Sequence, residues 1–112
     1  MAKVVFKDFR EAITVSLPSI KGSEISMYTS LLTGEMMDLH KKFPKMADST
    51  SSDSQEGSYH MLVACIKEWN FTDEAGVDLP ITNDTIKQLE TNDFISLIGN
   101  IKVNNETSKK KV

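Results

Sequence analysis

The sequence predicts an α+β fold: one mostly helical domain of three to four helices with a short N-terminal antiparallel β-hairpin. Three observations predict it. Apolar residues alternate with polar ones at Ile13, Val15 and Leu17, and again at Ile25 and Met27, the period of half-buried strands. From Tyr28 onward they recur at three- and four-residue steps instead, the period of a helix face. The chain has 112 residues, enough for one domain around one modest core. That domain is placed at residues 1–103; residues 104–112, NNETSKKKV, lack periodicity and are expected to be a disordered C-terminal tail.

The elements follow in order. Residues 3–9, KVVFKDF, fit a short strand or turn. The run of residues 12–17 is β-branched and alternating, and Pro18, which cannot donate to a ladder, ends it. Gly22 supplies the turn, and Ile25 and Met27 open the return strand, so a hairpin spans residues 12–28. A lone two-stranded hairpin is marginal in water and must lie on the helices.

A first helix is expected over residues 29–43, with Tyr28, Leu31, Leu32, Met36, Leu39 and Phe43 on its dry side. Gly34 in its second turn implies a close backbone approach or a break, and Pro44 ends the helix. Residues 47–57, ADSTSSDSQEG, carry nothing apolar larger than alanine and read as a flexible internal loop. The central helix follows. Tyr59, Leu62, Val63, Ile66 and Trp69 form its apolar stripe, with His60, Met61, Lys67 and Glu68 off it. It ends in an aromatic knot and an acidic turn, in which Asn70, Asp73, Glu74, Gly76 and Pro80 are the structural residues. Thr82 is the expected N-cap of a short helix carrying Ile86 and Leu89, and Thr91 that of a last one carrying Phe94, Leu97, Ile98 and Ile101.

Composition narrows the function. The net charge of −3 argues against a general nucleic-acid or anionic-membrane binder, since both need a basic face. Lys41, Lys42 and Lys45 gather where a helix ends and suit its dipole; Lys109, Lys110 and Lys111 belong to the tail. Six methionines are many for this length, as core filler or as an adaptable binding surface. Residues 1–12 lack the apolar core and cleavage site of a secretory signal, and no apolar run approaches membrane-spanning length. A cytoplasmic setting is expected, in which the three Asn-X-Thr triplets carry no meaning as glycosylation sites.

No catalytic constellation is legible. Cys65 is the only cysteine and falls in an apolar run, as an unreactive thiol would. His60 lies five residues before it on one helix and does not face it. His40 and His60 have no ligand partners at metal-binding spacing. With Gly76 at the sixth position of a calcium loop, Phe71, Ala75 and Thr82 would occupy ligand positions, and all three fail. No enzyme activity, cofactor or metal is expected.

Two stretches together carry a resemblance. One is SLPSIKGSEISMYTSLLTGEMMDL at residues 16–39; the other is IKEWNFTDEAGVDLPIT at residues 66–82, followed by an Ile-x-x-Leu helix. In this order they resemble the small tail assembly chaperones of tailed bacteriophages and prophages, most sharply at Trp69, Asn70, Thr72, Asp73, Glu74, Gly76, Leu79, Pro80 and Thr82. The resemblance covers residues 12–103. It implies a non-enzymatic binding protein, working in the host bacterium's cytoplasm, that coats the tape-measure protein and recruits major tail protein. It leaves homo-oligomerisation open and involves no nucleic acid or membrane. Such work asks for an apolar, adaptable groove for amphipathic helices. Met27, Met36, Met37, Met46 and Trp69 are its candidate partner-binding residues. In many members of that family a frameshift near the end of the short form gives a longer product, and the lysine run at residues 109–111 fits an A-rich slippery sequence. The competing expectations are a structural tail-completion or head–tail connector protein, and a regulatory binding module unconnected with phage.

Overall fold

A computed structural model describes residues 2–102. It is an α+β fold with β1 at Ala12–Val15, β2 at Ile25–Tyr28, α1 at Thr33–Lys42, α2 at Ser52–Cys65, β3 at Ile66–Trp69, α3 at Asn83–Ile86 and α4 at Thr91–Ile98. The predicted tail, residues 104–112 with their lysine run, lies outside the described residues.

The hairpin forms as the alternation requires. Ile13 stands opposite Met27 and Val15 opposite Ile25, so all four share the face turned to the core. Its loop is held by the buried Ser23 hydroxyl, which accepts from the Leu17 amide at 2.7 Å. Gly22 has φ +82°, a left-handed conformation that glycine adopts without strain. Residues 3–9 form neither strand nor regular turn. They run outside the sheet with Val4, Val5, Phe6 and Phe9 exposed.

A third strand was not expected. The sheet is three-stranded in the order β1-β2-β3, because the central helix stops at Cys65 and the chain continues directly as β3, antiparallel to β2. Trp69 pairs with Ile25, Glu68 with Ser26 and Ile66 with Met27, so Lys67 is passed over in a bulge. The bulge explains why a helix is read here. In a regular strand, residues three apart point to opposite faces. One extra residue returns Ile66 and Trp69 to the same face, which imitates helical spacing. The hairpin therefore gains a neighbour within its own sheet as well as helices to lie on.

Three helix boundaries also differ. The first helix begins at Thr33 instead of residue 29, because Tyr28 is spent in the β2 ladder opposite Ala12. The Glu35 carboxylate accepts from the Leu32 amide at 2.9 Å and closes the first turn. Gly34 then sits in that first turn with open space around it, so neither a break nor a close approach is present. Residues 47–57 are not one loop. Hydrogen-bonded turns through residues 43–51 lead into α2, whose N-cap is Ser51; its hydroxyl accepts from the Asp53 amide at 3.1 Å. The serine-rich composition is cap chemistry in this segment. Thr82 caps α3 as expected, accepting from the Thr85 amide, whereas α4 is capped by Glu90 and has Thr91 as its first residue.

The core comprises Leu17, Ile25, Met27, Leu39, Met61, Leu62, Cys65, Ile66, Ile86, Leu97 and Ile101. On α2 the fully covered row is Gly57, Met61 and Cys65 with Leu62, while Tyr59 and Val63 are half-buried. The dry face is thus rotated toward Met61, which the predicted stripe excluded. Residues 61–66 are apolar nearly without interruption, so spacing alone could not orient the helix.

Candidate binding groove

Helices α1 and α2 lie side by side and leave a groove of about 290 Å³ between them. Leu31, Leu39, Met61, Val63 and Ala64 supply its apolar surface. Glu35, Asp38 and Lys42 of α1 and His60 of α2 form its charged and polar rim. Helix geometry makes this set: residues 35, 38, 39 and 42 are three and four apart and fall on one side of α1. His60, which the sequence places off the apolar stripe, is half-buried, with its ring 5.6 Å from that of Phe43.

The predicted methionine surface does not assemble. Met27 is wholly buried opposite Ile13 and cannot touch a partner, which corrects its assignment. Met36 and Met46 are half-buried against the core, and the Met46 thioether lies across Gly57, where an added Cβ would come within 2.8 Å of its sulfur. Met37 alone is well exposed, at 67%. Met61, which was not among the candidates, contributes to the groove instead. The groove joins residues from two helices far apart in sequence, and no local motif announces it.

Trp69 is half-buried, packed on the core with its ring 5.0 Å from Phe71. Its indole N–H donates to the Leu79 carbonyl at 2.9 Å, which ties β3 to the far side of the acidic turn. The turn itself is built around Asp73. One carboxylate oxygen accepts from the amides of Ala75 and Val77, at 2.8 and 3.0 Å, and Gly76 takes φ +84° to complete the reversal. Thr72 and Asp78 bridge across it. Asn70 belongs to a different contact: its side chain accepts from the Glu24 amide and donates to the Gly22 carbonyl, holding the hairpin loop. Glu74 and Pro80 lie exposed at the turn's surface.

The cysteine read as unreactive is closed off from solvent. The Cys65 thiol is fully buried, points toward the Ser30 carbonyl at 3.8 Å, and is pushed up to about 11 by desolvation. Among the described residues no three histidine, cysteine or acidic side chains gather as metal ligands. No helix among the described residues is long and apolar enough to cross a membrane.

Two features escaped sequence reasoning. Asp93 is wholly buried in the first turn of α4, where one oxygen accepts from the Ser19 amide at 3.2 Å and the other has no hydrogen-bond partner among the described residues. Only its place near a helix start was legible. Arg10 is the second. Its guanidinium lies 3.9 Å from the centre of the Tyr28 ring, donates to the Ser30 carbonyl at 3.0 Å, and reaches Glu35 at 3.4 Å. It also grips Asp8 at 2.7 Å, and these hydrogen bonds hold the Asp8 carboxyl down at about 2.

No model of a known protein family matches this chain, and comparison with curated proteins and with solved structures likewise gives no match.

Proposed function

We propose that this protein is a non-enzymatic binding protein of bacteriophage tail assembly, a chaperone that holds tape-measure protein and recruits major tail protein in the host cytoplasm. The observation that carries the reading is the α1–α2 groove. It is apolar along its length, has Met61 in its lining and charge on its rim, and is flanked by helices as a helix-binding groove would be. The resemblance of residues 16–39 and 66–82 to that chaperone family supports the same reading, and the Trp69–Leu79 bond gives the second stretch a structural reason for its residues. The proposed use of Trp69 is accordingly to brace the sheet, with the groove as the binding element.

The test is co-expression with a candidate tape-measure protein, followed by size-exclusion chromatography with light scattering. The reading expects a soluble complex with many copies per tape measure. Absence of association, with the protein instead present in purified virions, would favour a structural tail-completion or connector component.

A further inference from the structure

His60 is the one titratable side chain that α2 sets into the wall of the α1–α2 groove. Its ring is half-buried beside Phe43, so part of it is packed and the rest faces the open groove. An imidazole so placed is wet while the groove is empty and is covered once the groove is filled.

Whether its charged form can stay under a client depends on the charges around it. On α1, Glu35 is already engaged: its carboxylate accepts from the Leu32 amide at 2.9 Å and meets Arg10 at 3.4 Å. Asp38 and Lys42 stand one turn apart on the same side of α1 and offset one another. The other elements packed on α2 are α3, α4 and β3, and their charges are turned to other contacts. Lys87, next to α3, meets Glu56 at 3.6 Å and lies over Tyr59, while Asp84 is exposed in the first turn of α3. Asp93 of α4 holds the Ser19 amide. Lys67 of β3 lies toward the Tyr28 ring, and Glu68 lies beside Thr14 and Ser26 on the sheet. Among the described residues no carboxylate forms an ion pair with His60.

We propose that His60 gates the groove: its neutral imidazole admits the apolar face of the client helix, and its protonation releases that helix. Covering an unpaired charge costs far more than covering a neutral ring. The Phe43 contact is made whether or not the groove is filled, so it gives the charged form no advantage on binding. Binding therefore favours the neutral form and drives a proton off. Affinity is full at the upper end of the histidine range and is lost as pH falls through it. The inference rests on the reading of this groove as the client site and adds its regulation.

The test is calorimetric titration of the full chain with a helical peptide from a tape-measure protein, chosen to lack histidine and given a blocked amino terminus. Affinity should fall about tenfold from pH 8 to pH 5.5, a span in which histidine changes charge and carboxylates stay largely ionised. At pH 6.5, titrations in two buffers of different ionisation enthalpy should show protons released as the groove fills. His60→Gln, at whatever affinity it retains, should bind equally at both pH values and release none. His40→Gln, at an exposed position outside the groove, should keep the native pH dependence. If His60→Gln fails to fold, the native protein decides alone: proton release supports the gate, and no exchange or proton uptake overturns it. Equal affinity at both pH values, tighter binding at pH 5.5, or a pH dependence that survives His60→Gln would overturn the gate and leave the client reading standing. No binding at either pH would overturn the client reading itself, and the gate with it.

Discussion

Trp69 shows how one residue serves two elements. Its ring covers the end of the sheet and its N–H holds the carbonyl of Leu79, ten residues on. Replacing it with phenylalanine keeps most of the ring contact and loses the bond, which should cost about 1 kcal/mol in urea unfolding. Trp69→Ala also leaves a void beside Phe71 and should cost about 3 kcal/mol. A loss under about 1 kcal/mol for the alanine variant would show that Trp69 does not brace the sheet and return it to the binding surface. Cys65 makes a different prediction. Its folded pKa lies above the ordinary thiol value of 9.0, at about 11, so between those values the unfolded chain gives up a proton that the folded chain retains. Stability is therefore full below about pH 9 and falls as pH rises toward 11. Thermal melts of the native protein should show that alkaline decline, and melts of Cys65→Ala should show less of it. The thiol should also stay unreactive toward alkylating reagents until the chain unfolds.

At the scale of elements, what could be read from the sequence depended on whether local chemistry or distant pairing set the boundary. Thr82 caps α3 as read, because a hydroxyl and the amide three residues on suffice. The same logic was available at Ser51 but was hidden among neighbouring serines, any of which could cap. Ser51→Ala should cost about 1 kcal/mol in denaturant unfolding, whereas Ser49→Ala, which makes no such bond, should be close to neutral. Equal effects would place the helix start elsewhere. The start of α1 and the end of α2 were not legible, since both are cut short by strands pairing with distant chain. Tyr28 is claimed by Ala12, and Ile66 by Met27 across a bulge. A four-residue strand with a bulge carries no period-two signal to read.

For the whole molecule, the fold class was legible because the hairpin and the helices each declare their period, and the groove was not. The methionine list relied on residue type, but exposure divides that list: Met27 is core, Met46 covers Gly57 and Met37 is exposed, while the methionine that lines the groove, Met61, was not on it. What places the groove is the pairing of α1 with α2, a property of tertiary packing that no single stretch contains. The central claim is that this groove receives the apolar face of a client helix. Titrating isotopically labelled protein with an amphipathic helical peptide from a tape-measure protein, and following backbone amide resonances, tests it most directly. The account predicts shifts concentrated at Leu31, Leu39, Val63 and Ala64, abolished in Ala64→Arg while the sheet resonances of that variant stay in place. Shifts confined to the sheet and the acidic turn, or equal binding by Ala64→Arg, would contradict it.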